Sequence, residues 1–393
     1  MTREYPHLLF RRHWSLTPKA TYELGQCDAL ISAISETPIE PSYHRKLLNV
    51  SLTKGALATT AIEGNTLTIA EVEKVAQGKK LPPSKEYQEI EVRNVLSAMN
   101  EILREVAIEA QEQLVSPELV LRFHRMIGQG LGEHLDAIPG RFRTDERTVG
   151  PYRCPDHEDV PALIDRLCEW LKSEFAYSSG RQTFADAVVQ AIVSHVYLEW
   201  IHSFGDGNGR TGRLLEFYIL LRSGNPDIGS HILSNHYNLT RPEYYRQIQV
   251  AFEKRDLTQF IQYAVEGFRD GLRATLHTIQ MNQFETAWRS FIYDKFADRP
   301  YTKRTVFKRR RDLMLAVPVT KDLSESELML LTPELARTYA KLSARTFARD
   351  IDVLKELGLL VENHGSYSAN ANALRHNLAR RINRDRAALT VTG

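Results

Sequence analysis

The segment from His202 to Arg213, HSFGDGNGRTGR, places several groups that can act on a phosphate within twelve residues. It holds an imidazole, a carboxylate, two guanidinium groups and four glycines. An imidazole can accept a proton near neutral pH. Free backbone N–H groups in a glycine-rich loop, with a helix N-terminus behind them, attract anions. The segment therefore predicts a phosphate-binding loop with a base beside it.

Each residue type in the segment has a physical reason to be there. The loop backbone can approach a ligand closely at three positions that lack a Cβ atom: Gly205, Gly207 and Gly209. Arg210 and Arg213 are three residues apart, so on a helix they project from neighbouring positions and can hold separate phosphates. Asp206 offers the single carboxylate that Mg²⁺ commonly takes when phosphate oxygens and water complete its shell. His202, at the mouth of the loop, is the candidate base.

The same stretch contains GNGRTG, which matches the GxGxxG pattern of dinucleotide-binding proteins. That pattern must follow a β-strand, whereas DAVVQAIVSHVYLEWI has the apolar spacing of a helix. A phosphate loop of the GK[ST] type is also absent from the segment. We therefore predict a helix, the loop HSFGDGNG with Phe204 as its buried anchor, and a second helix over RTGRLLEFYILLRSG.

Helical periodicity dominates the first 280 residues, and strand-like alternation is nearly absent there. Ser116 before Pro117 predicts a helix start, and Thr183 is the predicted N-cap of the helix that leads to His202. The irregular stretch IPGRFRTDERTVGPYRCPDHEDVP predicts a functional loop with a short hairpin. These features predict a mainly α fold.

A different organisation begins near residue 285. Thr332 with Pro333, then Ser343, predict two helix starts, Gly358 predicts a helix end, and LLVENHGSY predicts a hairpin. This order resembles a winged helix-turn-helix module, and a helical accessory domain is an equally weighted alternative. From residue 301 onward the chain has 17 Lys and Arg against 10 Asp and Glu. Its basic stretch KRTVFKRRRD indicates a solvated helix face first and a phosphate-contacting patch second.

Composition limits the protein class. With 393 residues, 42% of them hydrophobic and 25% charged, the chain predicts a globular protein of two or three domains. Its three cysteines lack disulfide-framework or zinc spacing, and its net charge of +2 is too small for a nucleic-acid-binding polyelectrolyte. The first residues lack the apolar run of a signal peptide, and no segment is apolar enough to span a membrane. We expect a cytoplasmic protein.

The pattern HxFx[DE]GNGRxxR in the segment resembles the active-site signature of Fic-domain proteins, with Ser203 where the family usually has proline. The resemblance implies a Fic-type helical bundle with a β-hairpin flap, and transfer of AMP from MgATP to a Ser, Thr or Tyr hydroxyl of a protein. It assigns His202 as the base and Asp206 as the Mg²⁺ ligand. It also implies phosphate contacts for Gly205, Gly207, Asn208, Gly209, Arg210 (β-phosphate) and Arg213 (γ-phosphate). Gly209 favours AMP transfer, since phosphate-transferring relatives have lysine there.

Two further segments resemble parts of the family with less specificity. IPGRFRTDERTVG resembles the PGxxR segment, and the flap that follows it, at Val149 and Gly150, would align a target peptide. SNHYNLTRPEYYRQI resembles the helix that supplies an adenine contact, with Tyr244 and Tyr245 as candidates. Without the resemblance, a tyrosine pair on a helix would most often indicate packing.

ATTAIEGN, Ala58 to Asn65, resembles the [ST]xxxE[GN] pattern of the family's inhibitory helix. Taken alone, it indicates an ordinary helix end at Gly64, with a carboxylate placed unfavourably for the helix dipole. By the resemblance, Glu63 pairs with Arg213 and so competes with the γ-phosphate. A charge-assisted hydrogen bond of about 1.5 to 3 kcal/mol corresponds to a restraint of about ten- to a hundredfold.

The sequence thus predicts an N-terminal helical region (1–110) with the inhibitory helix, a Fic catalytic core (111–275) and a winged helix-turn-helix-like domain (285–393). The leading hypothesis is a self-inhibited protein adenylyltransferase that uses ATP and Mg²⁺. Alternatives are removal of AMP from modified proteins, a DNA-binding regulator acting through the C-terminal domain, and a toxin-like component held inactive. The C-terminal domain is a candidate for DNA or protein contact, and dimers are common in the family, which makes a homodimer an option.

Overall fold

The computed structural model describes residues 5–110, 113–175, 183–297 and 303–374. The chain divides into two compact units, Met1–His277 and Thr278–Gly393. Helices dominate both units, which confirms the predicted mainly α fold, and the only strands in the described ranges form two small hairpins. Parts of the predicted C-terminal domain, 298–302 and 375–393, lie outside the described residues. The three predicted domain boundaries stay predictions.

The first unit consists of ten helices and part of an eleventh in its described residues. In chain order these are α1 (Pro18–Glu36), α2 (Pro41–Ile62), α3 (Ile69–Ala76), α4 (Glu86–Leu103), α5 (Pro117–Gly128), α6 (Val160–Glu174), α7 (Phe184–Ile201), α8 (Asn208–Arg222), α9 (Ile232–Leu239), α10 (Arg241–Lys254) and α11 (Thr258–Ala297). The division between the two units falls within α11.

Helix α7 runs through the core of the first unit. Fourteen of its eighteen residues are buried, because the helix is apolar on all sides. Thr183 caps its start with a reciprocal bond to Asp186, which confirms the predicted N-cap. Its other end is His202, whose left-handed conformation (φ 51°, ψ 60°) turns the chain out of the helix. The chain therefore leaves the core at the candidate base.

Helix α8 follows the loop and packs along α7. It begins at Asn208, two residues before the predicted start, with Gly207 as the N-cap at φ 82°. Glycine adopts this left-handed conformation without the steric cost of a Cβ. The early start places the backbone of Asn208 and Gly209 in the first helical turn, where N–H groups have no partner within the helix.

Helix α2 lies against α3, α4, α8 and α9. It ends at Ile62, with Glu63 as its C-cap, and Gly64 has φ 100°. The predicted helix end is confirmed. At the start of α5, Ser116 accepts a hydrogen bond from the backbone of Leu119 and Pro117 is the first helical residue, as predicted.

The irregular stretch before α6 contains the predicted hairpin. Strand β1 (Thr148–Val149) pairs antiparallel with β2 (Tyr152–Arg153), and Gly150 has φ 55° in the turn. Val149 is 48% exposed. The hairpin is short, with two residues in each strand, and both residues of β1 are exposed.

The second unit has its own hydrophobic core, which includes Trp288, Leu313 and Phe347. Its further elements are α12 (Arg304–Ala316), α13 (Glu325–Met329), α14 (Pro333–Tyr339), α15 (Ala344–Glu356), β3 (Leu360–Asn363) and β4 (Ser366–Ala369). Thr332 and Ser343 cap α14 and α15, and Gly358 (φ 67°) follows the end of α15, as predicted. The helix, turn, helix and hairpin occur in the expected order.

The basic stretch of α12 is partly turned inward. The Nε atoms of Arg309 and Arg310 each donate to the fully buried carboxylate of Asp350 on α15, at 2.6 Å. The prediction of a solvated face is wrong for these two arginines, because they neutralise a buried acid in their own unit.

None of the helices in the described ranges combines the length and the apolar content needed to cross a bilayer.

Candidate active site

His202 is held at the mouth of the loop by its backbone. Its carbonyl accepts a hydrogen bond of 2.7 Å from Nε of Arg143, and its imidazole Nδ1 has no hydrogen-bond partner among the described residues. Burial and the charge of Arg143 lower the pKa of His202 to about 4. The imidazole is therefore neutral at pH 7 and can accept a proton.

Arg143 belongs to the PGRFR stretch, and the sequence analysis did not assign it a role. Besides His202, its side chain donates to the backbone carbonyls of Asp145, at 2.6 Å, and Pro155. Its own backbone N–H donates to the carbonyl of Ser203 at 3.0 Å. A single buried arginine thus ties the predicted PGxxR segment to the first residues of the loop. In the sequence, the position of Arg143 as the arginine of the PGxxR pattern was the feature that could have indicated this role.

The loop is closed by Asn208. Its side-chain oxygen accepts from the backbone N–H of Phe204 at 2.9 Å, and its amide donates to the Phe204 carbonyl at 2.8 Å. Phe204 is 1% exposed, which confirms it as the anchor. Both polar atoms of the Asn208 side chain therefore bond within the loop. This leaves its backbone N–H, in the first turn of α8, as the group available to a phosphate.

His124 on α5 packs against the loop and bonds to its backbone. The sequence did not point to this residue. Its ring stacks on Phe204 with the ring centres 3.7 Å apart. The N–H of Gly140 donates to its Nδ1 at 3.0 Å, so Nε2 carries the hydrogen and donates to the carbonyl of Asp206 at 2.9 Å. Burial lowers the pKa of His124 to about 4, which preserves this neutral tautomer. Its sequence signal was only a histidine on an amphipathic helix.

Close packing explains the glycine at position 205. Gly205 does not need a left-handed φ, but a Cβ there would lie 2.1 Å from the backbone oxygen of Asp136. At Gly209, a Cβ would lie 2.3 Å from Oε1 of Glu63. The first glycine thus serves the packing of the loop, and the second lets the acid from α2 approach it.

Arg210 is 3% exposed and lies between two carboxylates. Its Nη2 donates to Oδ1 of Asp206 at 2.8 Å, and its Nη1 donates to Glu91 on α4. The other oxygen of Glu91 accepts from the amide of Asn65 at 2.9 Å. Burial raises the pKa of Glu91, and Arg210 opposes that effect. Arg210 is thereby linked, through Glu91, to the residue that follows Gly64.

Arg213 pairs with Glu63. Its Nη2 donates to Oε1 of Glu63 at 2.5 Å and to the backbone oxygen of Thr59 at 3.0 Å. The Arg213 side chain is completely buried, whereas that of Glu63 is 28% exposed. Burial by itself lowers the pKa of Arg213, but the charges of Glu63, Tyr244 and Glu199 and the hydrogen bond to Glu63 together offset it, so the net shift is upward. The predicted end of α2 and the predicted phosphate clamp are in contact.

Glu199 is a second carboxylate at the same place, and the sequence analysis missed it. It lies on the last turn of α7, and a Cβ on Gly209 would lie 3.0 Å from its Oε1. Burial and the charge of Glu63 raise the pKa of Glu199 to about 7, while Arg213 acts in the opposite direction. An acid inside the apolar run VYLEWI was the signal that could have found it.

The two tyrosines of α10 have different surroundings. Tyr244 is 1% exposed, and its hydroxyl lies 2.8 Å from Nε2 of His195. Tyr245 is 47% exposed and donates to the backbone oxygen of Ile62 at 3.1 Å. Of the two rings, that of Tyr245 is the exposed one, and it lies next to the end of α2.

Asp206 is the residue of the loop that suits a metal ion. The described residues contain no cluster of three or more His, Cys, Asp and Glu side chains that could form a cage. Asp206 is 34% exposed, and its Oδ2 has no hydrogen bond to another described residue. One accessible carboxylate beside an anion-binding loop fits Mg²⁺, which keeps water and takes phosphate oxygens as further ligands.

Comparison with known proteins agrees with this geometry. Residues 114–220, which include α7, the loop and most of α8, match the model of the Fic/DOC family. These residues form a Fic domain. The fold is similar to that of a Fic family protein from Desulfovibrio desulfuricans (TM-score 0.56, 22% identity, 91% of this chain and 98% of that one). It is also similar to Fic-1 from Caenorhabditis elegans (TM-score 0.53, 22% identity, 67% of this chain and 73% of that one).

Two curated relatives each match 62% of this chain. Protein adenylyltransferase fic-1 of C. elegans is 28% identical over 271 residues, covering 62% of this chain and 50% of that protein. Protein adenylyltransferase Fic of Drosophila willistoni is 28% identical over 245 residues, covering 62% of this chain and 45% of that protein. The chain thus spans half the length, or less, of these relatives.

Proposed function

We propose that the chain is a self-inhibited protein adenylyltransferase, which transfers AMP from MgATP to a Ser, Thr or Tyr hydroxyl of a target protein or of itself. The observation that carries the proposal is the pairing of Glu63 with Arg213, the last arginine of the glycine-rich segment that begins at His202. The adenylyltransferase names of the curated relatives support the reaction class.

In the proposed reaction, His202 accepts the proton of the target hydroxyl as its oxygen attacks the α-phosphorus. The bond from that phosphorus to the bridging oxygen breaks, and pyrophosphate leaves. The N–H groups of the first α8 turn, with Arg210 and Arg213, hold the phosphates that carry the developing charge. Asp206 would hold Mg²⁺, which supplies further charge neutralisation when bound.

Glu63 restrains this reaction by occupying Arg213. A γ-phosphate needs the same guanidinium, so ATP must displace the carboxylate or bind without that contact. Glu63 lies at the exposed end of α2, so it can leave without exposing the core. The flap at Val149 and Gly150 would align the target by backbone pairing, and Tyr245 is the better candidate for the adenine contact because Tyr244 is buried.

Self-modification with ATP labelled at the α-phosphate tests the proposal. We expect weak labelling of the wild-type chain, strong labelling of Glu63→Gly, and none when His202→Ala is added to that variant. ATP labelled at the γ-phosphate should leave no label on any of the three. Transfer of the γ-label would replace AMP transfer by phosphate transfer, and equal labelling with and without His202 would remove the base from the mechanism.

Removal of AMP is the second candidate. The Glu63 side chain is 28% exposed, and its hydrogen bond to Arg213 uses Oε1, which leaves Oε2 to orient a water molecule. Incubating AMP-modified Glu63→Gly chain with the wild type separates the two activities, because only a hydrolase releases AMP. DNA contact, a homodimer and a cytoplasmic location stay predictions.

A further inference from the structure

A cavity of about 770 Å³ lies between α2, α3 and α4, outside the residues that match the Fic/DOC family. Its walls are formed by the first half of α2, the C-terminal end of α3 with the turn after it, and the middle of α4. Ligand sites in proteins typically have volumes of about 300 to 1,000 Å³. The cavity is therefore large enough for a small organic molecule.

Positive charge predominates around this cavity. Five basic residues line it, against the two acidic residues Glu73 and Glu89: Arg45, Lys46, Lys79, Lys80 and Arg93. Glu89 is already satisfied, since it pairs with Arg93 and accepts the backbone N–H of Leu81 at 2.6 Å. Glu73 is then the remaining acidic residue in the lining, against four basic residues: Arg45, Lys46, Lys79 and Lys80.

The three lysines that line the cavity have no counter-ion in the described ranges. Lys46, Lys79 and Lys80 form no ion pair with another residue in the described part of the chain. The chain brings two of them to the cavity by a sharp turn, in which Gly78 has φ 74° and the N–H of Lys79 donates to the carbonyl of Lys74. Unpaired ammonium groups from α2 and from the turn after α3, around one space, favour a ligand with more than one negative charge.

The floor of the cavity differs from its rim. Leu52, Val75 and Leu96 form an apolar surface, and Thr53 adds a buried hydroxyl beside them. An inorganic anion would leave this surface unused, whereas an organic molecule with phosphate groups would contact both parts. The apolar floor suits the organic body, and the lysines at the rim suit the phosphates.

We propose that this cavity is a binding site for a small organic phosphate that carries at least two negative charges. The site is separate from the loop at His202, so the inference does not depend on AMP transfer. Asn49 on the cavity wall and Glu63 belong to one continuous run of α2 and its cap, which gives the bound molecule a direct mechanical connection to the inhibitory contact.

Calorimetric titration of the full chain with fructose 1,6-bisphosphate tests the site, in 0.15 M salt and without Mg²⁺. We expect a dissociation constant below about 1 mM for the wild type. The double variant Lys79→Glu, Lys80→Glu should weaken binding at least about tenfold, because each ammonium-to-phosphate contact is charge-assisted. Both lysines are exposed, so the variant is expected to fold.

Lys54→Glu, Lys74→Glu is the matched control. It makes the same change of charge on exposed residues of α2 and α3 that do not line the cavity. Because neither of these side chains lines the cavity, the control should keep wild-type affinity within about twofold. Equal weakening by both double variants, no binding at about 10 mM, or binding of a single-stranded oligonucleotide alone would each overturn the proposal.

Discussion

The two units each contain a buried arginine–carboxylate contact, and the two contacts differ in which partner is accessible. In the second unit, Arg309 and Arg310 share Asp350, whose side chain is completely buried on the inner face of α15. In the first unit, Arg213 is the completely buried partner, and Glu63 is partly exposed at the end of α2. The contact at Asp350 cannot open without loss of packing. The contact at Arg213 can open by movement of the end of α2.

Under the proposed function, similar chemistry serves stability in the second unit and control of activity in the first. Breaking a buried pair leaves an uncompensated charge, and that cost keeps α12 and α15 together. At Arg213 the same cost is reduced, because Thr59 and Glu199 also lie around the guanidinium. Under the proposed function, Thr59 and Glu199 stay beside Arg213 while a phosphate takes the place of Glu63.

Removing Asp350 should have the largest effect. We expect Asp350→Ala to destabilise the second unit by about 3 to 5 kcal/mol, because both arginines and the hydroxyl of Tyr339 lose their shared partner. Hydrogen exchange in α12 and α15 measures this loss. The exposed neighbour Asp352, changed to Ala on the same helix, should cost less than about 0.5 kcal/mol. Similar losses for both variants would remove the contrast between the units.

Removing Glu63 should change activity more than stability. We expect Glu63→Gly to raise self-modification about ten- to a hundredfold, the value of one charge-assisted hydrogen bond. Initial rates with α-labelled ATP measure the gain. Ala61→Gly loosens the same helix end and keeps the carboxylate, so it should stay near the wild-type rate. If Ala61→Gly reproduces the gain, flexibility and not the ion pair sets the restraint.

Glu199 should make the stability of the first unit depend on pH. Its pKa of about 7 lies above the ordinary 4.5, so the folded state binds the proton more tightly than the unfolded state does. The stabilisation this provides is complete below pH 4.5 and is lost as the pH rises through 7. Glu199→Gln should therefore gain about 1 to 3 kcal/mol over the wild type between pH 5 and pH 8 in urea unfolding. Glu169→Gln, an exposed control, should gain nothing with pH.

The smallest expected effect is that of pH on His202: kcat/KM should stay nearly constant across the neutral range. With its pKa lowered to about 4, His202 remains neutral throughout the range from pH 5.5 to 7.5. We expect kcat/KM of the Glu63→Gly variant to change less than about twofold over that range through this group, and to fall only nearer pH 4. A midpoint near 6.5 on the acid side would show that burial does not set the protonation of the base.

Much of the local structure could be predicted from the sequence. The N-caps at Ser116, Thr183, Thr332 and Ser343 and the end of α2 before Gly64 all depend on contacts within four residues. The start of α8 was predicted two residues late, because Gly207 takes a capping role that its neighbours alone do not reveal. The pairing of Glu63 with Arg213 came from the family resemblance and not from local chemistry.

The sequence by itself determined a base, an anion-binding loop and two arginines in one short segment, because their proximity is covalent. Only the tertiary structure decided which charges meet them. Glu63 and Arg213 are 150 residues apart, Glu91 and Arg210 are 119 apart, and Arg143 reaches His202 across 59. Spacing along the chain cannot report such contacts, since they form when packed helices bury the charges and each one requires a partner.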